Sequence, residues 1–161
     1  MQRLGDVIVL DLPATLLDGP TLIHPVALAG PDHTLTLVDT GLPGMLEAIT
    51  AELAQAGYAL GQVRRVVVTH HDLDHIGSLE DIVRATGAEV YALEDEVPYV
   101  TGARRAQKLP SPEQAQTMLG DPQLSAPLSA MLTRDPVRVP VQRPLRDGDQ
   151  LPGGELGRAH V

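Results

Sequence analysis

Between Thr34 and Ala92 short apolar runs alternate with amphipathic stretches, and that alternation narrows the possible folds more than anything else in the chain. Thr34 to Asp39 reads as a strand ending in Asp39-Thr40-Gly41. Pro43 suits the first turn of a helix, Leu46, Ile49, Leu53 and Ala56 come after it at helical spacing, and Gly57 is a natural terminator. Arg65 to Thr69 carries Val66, Val67 and Val68 without interruption, the pattern of a strand buried on both faces. Ser78-Leu79-Glu80-Asp81 has the form of a capping box opening a second helix, which Gly87 closes, and Glu89 to Ala92 is extended again. Strand, helix, strand, helix, strand predicts an α/β fold with crossover helices.

The flanks are less regular. Val7 to Asp11 and Pro25 to Ala29 read as strands, the second joined to the 34–39 strand by a turn at Gly30-Pro31-Asp32-His33. Residues 101–136 hold a further capping box, Ser111-Pro112-Glu113-Gln114, and Pro122, Pro127 and Pro136 divide the remainder of that segment into short pieces. We read 101–136 as a helical insertion or lid-like loop within one domain spanning 1–161. From Val137 the chain is extended once more, with turns at Asp147-Gly148-Asp149 and Pro152-Gly153-Gly154.

A length of 161 residues suits one domain with a real core. There is no Phe and no Trp, so Leu, Val, Ile and Ala must fill that core. A net charge of -9 argues against nucleic acid or an anionic membrane as partner. The adjacent basic pairs Arg64-Arg65 and Arg104-Arg105 read as solvated surface charge. Without cysteine, any metal must be held by imidazole and carboxylate. Val7-Ile8-Val9-Leu10 is too short for a targeting or spanning segment, so the expected location is the cytoplasm.

The chemistry concentrates after the triple valine, in His70, His71, Asp72, Asp74 and His75. A strand precedes this turn and a helix comes after it, the position where α/β sheets bind ligands. Residues 70 and 72 can point one way from a tight loop while 74 and 75 turn to a neighbouring position, so two cations could be held. Two carboxylates about 6 Å apart repel by roughly 3 kcal/mol at an effective dielectric near 20. Asp72 and Asp74 carry that strain unless solvent, protons or metal relieve it.

Thr69-His70-His71-Asp72-Leu73-Asp74-His75, followed by Ile76-Gly77, resembles the metal-binding signature of the metallo-β-lactamase superfamily, His-x-His-x-Asp-His. His70 takes its first position, Asp74 and His75 its last two, and Asp72 stands where the signature has histidine. Thr34 to Gly41 is similar to the early strand ending in Asp-x-Gly near the metals, Thr86 to Tyr91 to the strand after the motif helix, and Arg146 to Asp149 to a later segment. The resemblance implies an αββα sandwich, here only its amino-terminal part. It implies up to two divalent ions, zinc first, with manganese or iron possible because aspartate is the harder ligand. It also implies metal-assisted hydrolysis, in which a metal-bound water with its pKa lowered to about 7 in the zinc case attacks a small ester, thioester or lactone. His70 and Asp72 would hold one ion, Asp74 and His75 the other, and Asp74 could orient the hydroxide.

Gly157-Arg158-Ala159-His160-Val161 looks like the strand leading into the turn that bears the next ligand, with His160 preceding that turn. Two rival readings stand beside this one. Asp39-Thr40-Gly41 is also the signature of aspartic proteases, which would make the chain half of a dimeric all-β enzyme. Alternatively, the chain is a shortened, non-catalytic member with an incomplete site, acting as a binding or oligomerising domain. Uncovered sheet edges predict a homo-oligomer or strand-exchanged dimer.

Overall fold

The computed structural model describes residues 1–16, 19–30, 32–121, 129, 132–133 and 135–151. The chain begins with β1 (Gln2–Leu4) and β2 (Val7–Val9), followed by a separate two-stranded hairpin, β3 (Leu12–Leu16) and β4 (Gly19–Ile23). β5 (Val26–Ala29) and β6 (Leu35–Val38) lead into α1 (Leu46–Gln55), β7 (Val63–Val68), the single-turn α2 (Leu73–Ile76), α3 (Leu79–Thr86) and β8 (Glu89–Leu93). After α4 (Val97–Val100) and α5 (Pro112–Leu119) comes the edge strand β9 (Arg143–Leu145). One seven-stranded sheet runs β1-β2-β5-β6-β7-β8-β9. Its first strands pair antiparallel, whereas β6, β7, β8 and β9 are mutually parallel. Crossovers through α1 and through α3 make that parallel pairing possible, because parallel neighbours cannot be joined by a tight turn. The sheet is therefore mixed, and the α/β class read from the 34–92 alternation holds.

Ile49 and Leu53 of α1 and Leu79 and Ile82 of α3 are fully buried with Leu35 and Leu37 of β6, Val66 of β7 and Val90 of β8. Removing each such side chain from water stabilises the fold by roughly 1.5–3 kcal/mol. Val67 corrects the expectation of a strand closed on both faces: Val66 and Val68 are buried, but Val67 is half-buried. Its own side meets Leu93, Leu145 and Arg146 across an open cleft at the strand ends.

Two helix starts also differ from expectation. α1 begins at Leu46 rather than at Pro43, with Met45 as its cap residue. Ser78 precedes α3 but makes no side-chain cap bond. Its hydroxyl donates to Leu42 O at 2.6 Å and accepts from Met45 N–H at 2.8 Å. The serine thus fastens one helix start to another, and tertiary contacts override the local motif. Gly87 does close α3, at φ 67. The Ser111 capping box forms as expected, with Gln114 N–H donating to Ser111 Oγ at 3.2 Å and Ser111 N–H to Gln114 Oε1 at 2.8 Å. Pro122, Pro127, the Pro152-Gly153-Gly154 turn and His160 lie outside the described residues. No helix among the described residues is long and apolar enough to cross a membrane.

Candidate metal centre

The loops after β6, β7 and β8 meet at the carboxyl ends of three parallel strands. Asp39 N–H donates to Val67 O at 2.9 Å, carrying the β6–β7 ladder one residue beyond the strand. There the backbone turns sharply: Asp39 takes φ 60, a left-handed conformation that few residues other than glycine, asparagine and aspartate adopt. The next residues are strapped to the ligand loop. Thr40 N–H and Thr40 Oγ1 both donate to His75 O, at 2.7 and 3.0 Å, and Gly77 N–H donates to Gly41 O at 2.9 Å. A Cβ on Gly77 would fall 2.3 Å from Pro43 N, so this approach requires glycine.

The left-handed turn aims the Asp39 carboxylate at the loop after β7. It accepts from Thr69 N–H at 2.9 Å, from Thr69 Oγ1–H at 2.8 Å and from His75 Nδ1 at 2.8 Å. His75 Nδ1 therefore carries the proton and Nε2 is left with its lone pair, a tautomer assigned from partners. Thr69 spends its hydroxyl proton on Asp39, so its oxygen accepts from His70 Nδ1 at 3.0 Å. His70 is left with the same free nitrogen. The two rings lie with centroids 3.8 Å apart, tilted by 47°.

Both free nitrogens face carboxylates. His70 Nε2 is 3.2 Å from Asp72 Oδ2, and His75 Nε2 is 3.4 Å from Asp74 Oδ2. A nitrogen lone pair repels a carboxylate oxygen at that distance, and a cation between them turns the contact attractive. The donor set thus fits a divalent ion by chemistry, as two imidazole–carboxylate pairs. It falls short in geometry, because among the described residues no three His, Asp or Glu side chains form a group able to hold one ion. His70, Asp72, Asp74 and His75 are brought together, pair by pair.

His71 turns elsewhere. It is 9% exposed, its ring stacks on Tyr99 with centroids 4.1 Å apart, and its Nδ1 donates to Glu96 Oε2 at 2.6 Å. Gln107 N–H reaches its Nε2 at 3.4 Å. This histidine ties the ligand loop to the segment after β8.

Asp72 also meets Lys108, the chain's single lysine, whose ammonium contacts Oδ2. Loss of water pushes the Asp72 carboxyl up, but the Lys108 hydrogen bond and charge leave it below the ordinary value. Lys108 is correspondingly raised by the hydrogen bond and charge of Asp72, against a smaller opposing effect of desolvation. Asp39, Thr69, Glu96 and Lys108 were not among the expected site residues. The Asp39-Thr40-Gly41 strand end was a visible signal for the first, but Lys108 lies 36 residues from Asp72 and left no local trace.

Residues 19–161 match the sequence profile of the metallo-β-lactamase superfamily. The probable metallo-hydrolase YflN of Bacillus subtilis is 32% identical over 50% of this chain and 30% of its own length. The probable metallo-hydrolase Rv2300c of Mycobacterium tuberculosis is 35% identical over 42% of this chain and 28% of its own. The fold resembles that of BJP-1, a subclass B3 metallo-β-lactamase of Bradyrhizobium japonicum, with TM-score 0.60 and 23% identity over 93% of this chain and 48% of that one. It also resembles MIM-1 from Novosphingobium pentaromativorans, with TM-score 0.62 and 21% identity over 84% and 43%. The chain spans 30% or less of the curated relatives it matches and about half of these solved structures. The Asp39 turn serves a histidine loop rather than a protease dyad, and the chain belongs to the metallo-β-lactamase superfamily.

Proposed function

We propose that the chain carries part of a divalent-metal-dependent hydrolase site acting on a small ester, thioester or lactone, with His70, Asp72, Asp74 and His75 as metal ligands. One observation carries this reading. Asp39 and Thr69 occupy Nδ1 of both imidazoles, leaving both Nε2 atoms directed at carboxylates. A metal ion between each imidazole and its carboxylate would satisfy this arrangement, as would a proton on Nε2, and the superfamily match favours the metal. Two imidazoles, two carboxylates and no thiolate suit zinc, with manganese or iron as alternatives. Bound there, the ion would supply Lewis acidity, making water nucleophilic near neutral pH.

The chain's own groups divide the remaining work between them. Asp39 holds the Nδ1 proton of His75 and keeps the ring from rotating. Asp74, more exposed than Asp72, borders the cavity beside the loop and is placed to orient the attacking water. Hydrolysis joins water oxygen to the acyl carbon, breaks the bond to the leaving oxygen or sulfur, and passes a proton to the departing group. With a net charge of -9 and no membrane-length helix among the described residues, a small soluble substrate in the cytoplasm fits best.

A second reading, a non-catalytic member that keeps the fold, draws on the absence of a three-donor group among the described residues. Metal content separates the two. The hydrolase reading expects purified chain to hold zinc, manganese or iron in stoichiometric amount by plasma mass spectrometry, and His70→Ala to hold none. Metal absent from both proteins would leave the non-catalytic reading standing.

A further inference from the structure

We infer that the cavity beside the ligand loop recognises a carboxylate on the substrate through Arg104 and Arg105. The cavity measures about 590 Å³ and is bordered by Asp72 and Asp74 on one side and by Arg104, Arg105 and Lys108 on another. That size suits a small molecule. Leu73, Ile76, Tyr99, Leu109 and Val137 supply an apolar wall between the charged groups. Arg104 and Arg105 are exposed, as their sequence reading as solvated surface charge expects, and the fold sets the pair on the rim of the candidate site.

The basic segment is anchored. Arg104 N–H donates to Pro98 O at 2.7 Å, the Arg105 guanidinium donates to Pro110 O, and Gln107 reaches both His71 Nε2 and the Tyr99 hydroxyl. The backbone of the 104–107 segment is thereby held next to the loop after β7, with the Arg105 side chain fastened at Pro110. Lys108 is already committed to Asp72. Among the described residues the arginine ion pairs are Arg84 with Asp81 and Arg146 with Glu94, so neither Arg104 nor Arg105 has a carboxylate within pairing distance. Asp74 and Asp135 border the same cavity, two carboxylates in the lining beside the two guanidiniums, with neither within pairing distance of them. The lining as a whole is balanced in charge, and what it offers an anion is two guanidiniums beside the proposed reacting centre that are left without an ion-pair partner among the described residues. A guanidinium fork matches the two oxygens of a carboxylate, whereas an ammonium does not. The substrate class is thus an ester, thioester or lactone with an apolar body and a free carboxylate. The identity of the reacting end rests on the metallo-hydrolase reading; the anion site does not.

The test is a titration of metal-free chain at low ionic strength with 3-phenylpropionate and with the neutral 3-phenylpropanol, monitored by ligand-observed NMR. The carboxylate should bind at least about fivefold tighter than the alcohol, the scale of one charged contact in a partly exposed site. Arg104→Gln with Arg105→Gln should abolish that preference while leaving alcohol binding unchanged. Arg84→Gln, which removes a cation elsewhere, should preserve it. Equal affinity for both probes in the native chain, or a preference that survives the double substitution, would overturn the inference. Metal content of the same samples reports on the hydrolase reading separately. A chain without metal that keeps an arginine-dependent preference sinks only that reading, and a metal-loaded chain without the preference sinks only this one.

Discussion

Asp39 concentrates at one residue what the candidate site requires. Its left-handed backbone turns the carboxylate from the end of β6 onto the loop after β7, and its oxygens then set the proton positions of Thr69 and His75. Asparagine tolerates the same backbone, so Asp39→Asn isolates the charge from the conformation. We predict that Asp39→Asn keeps the fold by circular dichroism and loses metal affinity about 10- to 100-fold, the usual cost of an outer partner, as measured by competition with a chelating dye. An unchanged affinity would remove Asp39 from the site. Asp39→Ala should be worse, adding backbone strain of roughly 1–2 kcal/mol to the same loss.

At the scale of elements, the ligand loop is positioned by what lies behind it. Gly77 and Ser78 pack the start of α3 against the 41–45 stretch, through a contact that leaves no space for a Cβ and two short hydrogen bonds. Gly77→Ala drives a methyl into Pro43 backbone and should cost more than about 2 kcal/mol in denaturant unfolding. Ser78→Ala leaves the buried Met45 N–H without its acceptor and should cost about 1–3 kcal/mol. Wild-type stability in both would mean that this junction is looser than its contacts indicate. Element existence was legible from pattern: β6, α1, β7, α3 and β8 all form in the expected order, with ends that differ by a few residues. The role of Ser78 was not, because a capping box and a tertiary anchor use the same residue, and only the approach of residues 42–45 decides between them. Likewise the unbroken valines predict a buried Val67, although burial depends on what covers the second face.

For the whole molecule, the sheet of the described residues ends in β1 on one side, whose residues are all exposed, and in the three-residue β9 on the other. Leu4 of β1 is an exposed apolar side chain on the first of these edges. Open edges of this kind recruit further strands. We predict that the purified chain self-associates with rising concentration in light scattering coupled to size exclusion, and that Leu4→Lys weakens the association. A monomer at all concentrations would show that the edges are protected by other means.

Local pattern was enough for the order of the central elements and for the polar loop of imidazoles and carboxylates after β7, because periodicity and turn chemistry are properties of neighbouring residues. The tautomers of His70 and His75, the diversion of His71 to Glu96, the pairing of Asp72 with Lys108 and the placement of Arg104 and Arg105 on a cavity were decided only by the folded chain. Each depends on atoms from segments tens of residues apart meeting within hydrogen-bonding or cavity distance, and no short stretch of sequence contains both partners.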